Sequence, residues 1–435
     1  MSGKNQIIIA GAGIGGLALA LALLQRGLSV RVHEQVALLG EIGAGLQLSS
    51  NGTRCLFSLG LEDALRQVSC VPEGKKVRLW NTGQRWKLFD LGAESERSFG
   101  YPYLMVHRGD LHHILLKAVR AIDPTAVQTG SRCIGFVQDA DGVNVEFDDG
   151  HKERCDVLIG SDGVHSQIRN AIIGAQKPVF TGCLAWRGLV PANELPNGFV
   201  QPMGVNWIGP GAHVVTYPLR GGELVNFVGI VERDDWLVEY WTEPGSVDEC
   251  ANGFASWHDD VHTLIRKIKQ PFKWALMGRE PPDSWSRGRI TLLGDAAHPT
   301  LSFLAQGANM ALEDAIVLAR CLKAHEENFT EALQIYQELR VNRTLRIVRG
   351  SSEGRLRTLS VFTTQHLRAR RVHKSTLTKN GPKTKSVHVT TGFLSTTHYR
   401  CLLGQSPQLH NKPSSPEQRP HAISLEKIDE QVWKS

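Results

Sequence analysis

A strand, a glycine turn, a helix and a second strand follow one another within residues 6–34, and that order leaves few folds open. Gln6–Ala10 is a short apolar, β-rich run, Ile14–Arg26 is rich in Leu and Ala, and Leu28–Glu34 alternates as a strand. Gly27 closes the helix between them. The turn reads Gly11-Ala12-Gly13-Ile14-Gly15-Gly16, which is G-x-G-x-x-G at Gly11, Gly13 and Gly16, and Glu34 ends the second strand. Each position has a reason. Gly11 makes the tight turn, Gly13 lets a pyrophosphate approach the backbone, and Gly16 lets the helix pack close to the strand. The helix start offers free N–H groups and a positive dipole end to phosphate, and Glu34 can accept from ribose hydroxyls. The unit predicts a dinucleotide site and does not choose between NAD and FAD.

The same segment invites a second interpretation. Ile7 to Leu24 is an unbroken apolar and glycine run, long enough to be considered as a membrane span. Four glycines inside it, and no basic leader beyond Lys4, favour a buried strand, turn and helix over a span or a signal peptide. The net charge of +6 is uneven: residues 351–435 carry +9 and residues 1–350 carry −3. A near-neutral body gives no reason to expect nucleic acid. The eight cysteines are irregularly spaced, without a C-x-x-C pair, and read as thiols of a reducing, cytoplasmic compartment.

Beyond the first unit, strands are expected at Tyr103–His107, Val143–Phe147 and Val157–Gly160, and a helix at Leu111–Ile122. From Gly182 to Trp274, β-branched and aromatic runs alternate with turns, as in Val214–Tyr217 and Leu224–Val231. Helical stretches fall near Val247–His258 and His262–Ile268. A buried strand returns at Arg289–Gly294, followed by helices over Ala305–Ala324 and Phe329–Ile347. The expected fold is α/β: a Rossmann-like cofactor domain (1–181 and 285–350) interleaved with a β-sheet-rich substrate domain (182–284). A basic tail follows over 351–435. Its loss of periodicity from residue 361 predicts disorder, and an aberrant reading frame or splice is a second explanation.

Two further motifs decide the cofactor. Residues 156–169 fit D-x-x-I-G-x-D-G-x-x-S-x-x-R, from Asp156 through Gly160, Asp162, Gly163 and Ser166 to Arg169. Gly294-Asp295-Ala296-Ala297-His298-Pro299 lies between a strand and a helix. With these three motifs in this order, residues 6–347 resemble the single-component FAD-dependent aromatic hydroxylases, the p-hydroxybenzoate hydroxylase fold. Salicylate hydroxylase, 3-hydroxybenzoate 6-hydroxylase and 6-hydroxynicotinate 3-monooxygenase are the members most similar in texture.

The resemblance implies FAD as cofactor, with NADH or NADPH and O₂ as co-substrates, and hydroxylation of a small phenolic acid through a C4a-hydroperoxyflavin. Gly11, Gly13, Gly16 and Glu34 would hold the ADP half of FAD. Arg108 would lie near the flavin, Asp295 would take ribityl or ribose hydroxyls, and Asp162-Gly163 would lie between the flavin and the nicotinamide approach. The helix at Gln306-Gly307-Ala308 would aim its N–H groups at the flavin pyrimidine edge. One departure is Ser302, where the family has a second proline, and it bears on how tightly reduction is coupled to hydroxylation. In the substrate domain, His213 and Tyr217 are four apart and share a strand face. In relatives this pair lies by the ring, and Gln306 is a further candidate for substrate contact. Arg187 and Arg220 can bind a carboxylate or simply be solvated. A homodimer is left open. Other readings are an epoxidase or hydroxylase of a larger aromatic metabolite, and a non-catalytic FAD-holding protein.

Overall fold

The computed structural model describes residues 6–40, 44–233 and 242–375, with side chains described as far as Gly354. The N-terminal unit forms as its pattern requires: strand Gln6–Ala10, helix Ile14–Leu24 and strand Ser29–Glu34. The two strands are parallel, with Ile7 beside Val30 and Ile9 beside Val32. They belong to a six-stranded sheet ordered Ser286–Arg287, Ile290–Leu292, Val157–Gly160, Gln6–Ala10, Ser29–Glu34 and Val127–Thr129. All its neighbours run parallel except the edge hairpin at Ser286–Arg287. Covered on both faces, its central strands are continuous apolar runs rather than alternating ones: Ile7, Ile8 and Ile9 are fully buried.

The second sheet has eight strands, in the order Thr242–Pro244, Phe272–Gly278, Val179–Pro191, Leu224–Glu232, Ala212–Leu219, Met203–Gly209, Gly74–Leu79 and Arg85–Asp90. The last two come from the first 181 residues, so a division at 181/182 does not follow the sheet. They join it through the parallel pairing of Met203–Ile208 with Gly74–Leu79. Period-two alternation gives this sheet two different faces. One buries Leu184, Trp186, Trp207, Val214 and Phe227 against Phe254 and Trp257, which follow helix Val247–Gly253, and Leu264 of helix Asp259–Arg266. The other carries Ala185, Arg187, His213, Tyr217, Asn226 and Ile230.

Helix Gly307–Ala324 packs against Ile14–Leu24, and helix Phe329–Ser375 packs against it in turn. Gln337 Oε1 accepts from the backbone N–H of Trp285 (2.7 Å) and of Ser286 (2.8 Å), and Tyr336 donates to the Leu292 carbonyl. The helix does not end where the sequence pattern fades. It runs through residues 351–375, so residues 361–375 of the expected disordered segment are helical. Residues 376–435 of that tail lie outside the described residues.

Candidate functional site

The glycine turn is tight because it must be. Gly11 has φ +107°, and a Cβ there would stand 2.4 Å from the Ser161 carbonyl oxygen. A Cβ on Gly16 would stand 2.1 Å from the Gly11 oxygen. Gly13 is different: nothing lies within 4 Å of its would-be Cβ. It is the N-cap of the helix, and no side chain caps that end. The free N–H groups of the first turn therefore face open space. Glu34 Oε2 accepts from Ala12 N (2.8 Å) and Oε1 from Val36 N (3.1 Å). The carboxylate thus secures the turn and keeps lone pairs for ribose hydroxyls.

Four more of the expected residues surround this opening. Asp162 Oδ2 accepts from Gln167 N (2.9 Å), so it caps the short helix Gln167–Ile173, while its buried Oδ1 has no partner. Gly163 follows at φ +74° with open space beside it. Asp295 is solvent-accessible, yet enough protein surrounds it to push its carboxyl pKa upward by desolvation. An accessible carboxylate in that setting lies on the floor of a deep cleft. Arg108 opens helix Arg108–Ile122 and is close enough to Asp295 to oppose that rise. Helix Gly307–Ala324 also starts uncapped, with Gly307 and Ala308 in a first turn that has no acidic residue. Two open helix N-termini, glycines that admit no side chain and a cleft-floor carboxylate fit FAD, an elongated dianionic dinucleotide with polyol groups.

Beneath the second helix start lies a buried polar network that sequence reasoning missed. Gln306 Nε2 donates to Ser49 Oγ (2.8 Å), and its Oε1 accepts from Asn51 Nδ2 (3.2 Å). Asn51 also donates to Glu313 (2.9 Å), which Arg340 (2.9 Å) and Arg343 (2.6 Å) neutralise. Asp314 joins Arg340 (2.7 Å) to His298 (2.6 Å). Despite complete burial, Glu313 and Asp314 are held below the usual carboxylate range by these cations. Both polar atoms of Gln306 are thus engaged with protein and fix the turn. Within the turn, Ala305 adopts φ +52°, a left-handed conformation that is uncommon for a residue other than glycine. Arg169, buried, donates to the Ala296 and Ala297 carbonyls and ties the second motif to the third.

The second face of the eight-stranded sheet carries the other candidates. His213 and Tyr217 share it on strand Ala212–Leu219, as their spacing predicted, and both are buried. Phe303, from the turn that follows His298-Pro299, packs on His213 with ring centroids 5.4 Å apart. Burial lowers the His213 pKa to about 4, so the ring is neutral near pH 7, and its Nδ1 has no partner. Burial raises the Tyr217 pKa, which keeps the phenol protonated as a donor; Arg187, Tyr103 and Gln47 adjoin it. The two arginines separate cleanly. Arg220 is spent on Asp110 through two hydrogen bonds of 2.8 and 2.6 Å. Arg187 lies over the Trp274 ring (4.7 Å) beside Tyr217 and is not a solvated surface group. Ser302 is exposed.

Comparison with known proteins agrees with this geometry. The model of the FAD binding domain family matches residues 4–351. The 3-amino-4-hydroxybenzoate 2-monooxygenase PtnB3 of Streptomyces platensis is 39% identical over 350 residues, covering 80% of this chain and 87% of its own. The 3-hydroxybenzoate 6-hydroxylase of Polaromonas naphthalenivorans (strain CJ2) is 38% identical over 352 residues, covering 80% and 87%. Among solved structures, Klebsiella pneumoniae HpxO complexed with FAD and uric acid superposes with a TM-score of 0.73 at 27% identity, covering 86% of this chain and 96% of that one. No helix among the described residues is long and apolar enough to cross a membrane. The chain belongs to the FAD binding domain family and is an FAD-dependent monooxygenase of the aromatic-hydroxylase type.

Proposed function

We propose that this enzyme hydroxylates a small phenolic acid with NADH or NADPH and O₂, the ring lying between the FAD cleft and the His213–Tyr217 face. The balance is one aromatic C–H, one O₂, one NAD(P)H and one proton giving one phenolic C–OH, one water and NAD(P)⁺. The observation that carries the reading is a neutral buried histidine with a free ring nitrogen. It shares its sheet face with a protonated tyrosine and an arginine, in a chain 38–39% identical to hydroxylases named for hydroxylated aromatic acids. A larger aromatic metabolite suits this site less well, because His213 and Tyr217 are enclosed and Phe303 closes over the ring.

FAD, when bound, supplies the store of reducing equivalents and the activation of O₂. The protein's residues do the rest. Gly11, Gly13, Gly16 and Glu34 hold the ADP half, Asp295 takes polyol hydroxyls, and Arg108 with the Gly307–Ala308 helix start favours negative charge on the reduced ring. Asp162-Gly163 borders the nicotinamide approach, and Gln306 is a positioning residue. Tyr217 donates a hydrogen bond to the substrate. His213 accepts the phenolic proton and passes it on. A buried imidazole held neutral is a poor terminal base. Moving a proton from a phenol of pKa about 10 to an imidazole at about 4 costs about 8 kcal/mol. The role left for His213 is a relay that hydrogen-bonds the phenol and exports its proton to water. Seven buried cysteines outside any disulfide among the described residues suit a reducing cytoplasmic location.

The test is a screen of hydroxybenzoates and hydroxynicotinates for substrate-stimulated NAD(P)H oxidation, with product identification. Stoichiometric hydroxylation of at least one acid is expected. Oxidation with every acid releasing only H₂O₂ would overturn the reading.

A further inference from the structure

The substrate-facing side of the eight-stranded sheet has three buried polar atoms with no hydrogen-bond partner among the described residues: His213 Nδ1, Arg187 Nε and Asn226 Nδ2. Strand register puts them on one face. His213 pairs with Ile230, which pairs with Ala185; Tyr217 pairs with Asn226, which pairs with Leu189; Arg187 pairs with Val228 between these rows. All are spaced by even numbers along their strands and point to the same side. Leaving a buried polar atom unpaired is costly, because it loses its water partners and gains none. Three such atoms on one face mark a surface built to be completed by a ligand.

Their chemistry says which ligand. His213 is neutral and accepts or relays a proton. Asn226 uses Oδ1 to hold the Gly45 N–H (2.7 Å), so its free atom is a donor. Among the described residues, the electrostatic neighbours of the Arg187 cation are the Tyr217 phenol and a second cation, Arg108, with no carboxylate among them. A half-buried arginine with no counter-charge among the described residues calls for an anion. Its position is also fixed. The guanidinium lies on Trp274, and Trp274 pairs with Ala185 from the strand on the side away from Ala212–Leu219. His213 stands two strands from Arg187 in the opposite direction, at about 4.8 Å per strand spacing.

Resting on the reading of the enzyme as a phenolic-acid hydroxylase, we propose that Arg187, assisted by the Asn226 amide, binds the substrate carboxylate and selects rings whose hydroxyl is meta or para to it. A ring spanning from Arg187 to His213 presents its carboxylate at one end and its hydroxyl toward the other. In an ortho isomer the two groups adjoin and hydrogen-bond to each other, and one of the two protein partners is left unmet.

The experiment uses FAD-loaded enzyme and reads binding from the change in the flavin visible spectrum, without turnover. Wild type, Arg187→Met, Arg187→Lys and Asn226→Asp are titrated with 3-hydroxybenzoate, 4-hydroxybenzoate, salicylate and the primary amides of the first two. Wild type is expected to prefer acid over amide by about tenfold to a hundredfold, the range for a hydrogen bond to a charged group. Salicylate is expected to bind at least about tenfold more weakly than the better of the other two acids. Arg187→Met should lose the preference while keeping FAD. Arg187→Lys should keep part of it, because an ammonium lacks the two-pronged fork. Asn226→Asp retains the acceptor for Gly45 and should weaken acids while sparing amides. Wild type that fails to distinguish acid from amide, an Arg187→Met that still does, or salicylate binding as well as its isomers would each overturn the proposal. If hydroxylation of phenols is found together with any of these, the functional reading stands and only this assignment falls. If wild type neither binds nor hydroxylates any phenolic acid, both fall.

Discussion

Replacing His213 tests the relay most sharply, because its burial predicts an unusual pH response. Lowering its pKa from 6.5 to about 4 puts about 3 kcal/mol against charging the ring in the folded enzyme. The sign follows from proton counts. Between pH 6.5 and 4 the unfolded chain binds a proton at this position and the folded chain does not, so stability falls as pH falls through that window. Above 6.5 neither state is charged, and below 4 the loss is complete at about 3 kcal/mol. Denaturant titration at pH 7.5 and pH 4.5 should therefore show less acid destabilisation in His213→Asn than in wild type, by about 2–3 kcal/mol. In kinetics, kcat/KM of wild type should show no ascending limb attributable to His213 near 6.5, since that profile reports the free enzyme. His213→Asn should retain FAD and its reduction by NAD(P)H, hydroxylate about 10²- to 10⁴-fold more slowly, and divert electrons to H₂O₂. A wild-type limb near 6.5 that disappears in the variant would refute the buried-neutral argument. Wild-type hydroxylation by the variant would refute the role itself.

Other sites respond for different reasons. Gly13→Asp places a carboxylate in the open space before an anion-binding helix start, and the purified protein should be folded and colourless. Arg340→Met leaves Glu313 and Asp314 short of a buried counter-charge and should cost about 3–5 kcal/mol in denaturant unfolding, with weakened FAD retention. Truncation after Ser360 keeps Ser351, whose hydroxyl donates to the Leu301 carbonyl at 2.6 Å, and so should leave a yellow protein with unchanged FAD affinity.

What the sequence showed depended on how local the determinant was. Gly11, Gly13 and Gly16 carry their meaning within one turn, and Asp295 and Gly307 lie within short motifs, so FAD as the cofactor was legible from local pattern. His213 and Tyr217 needed only the two-residue period of a strand. The pairing of Met203–Ile208 with Gly74–Leu79 joins segments far apart in sequence, and no local pattern announces it. The same limit hid the Asn51–Glu313–Arg340 network, whose members lie on three helices. Asp162 and Gln306 were visible as motif residues, but their hydrogen bonds to Gln167 and to Ser49 and Asn51 show that they also build the site's frame. Arg187 could not be told from a surface arginine, because Trp186 beside it faces the apolar core. Only a sheet covered on both sides takes Arg187 as well as Trp186 largely out of solvent. The helix beyond residue 350 was missed because its Ser, Thr and Arg content blurs the apolar stripe that signals a helix.

The central claim is that one atom of O₂ enters an aromatic ring on this FAD enzyme. The most direct measurement is a reaction with the best acid from the screen under ¹⁸O₂ in ordinary water, followed by mass spectrometry of the product. The account predicts a hydroxylated acid heavier by one ¹⁸O, with one NAD(P)H consumed per product. A product carrying oxygen from water, or none beyond H₂O₂ despite rapid NAD(P)H oxidation, would contradict it.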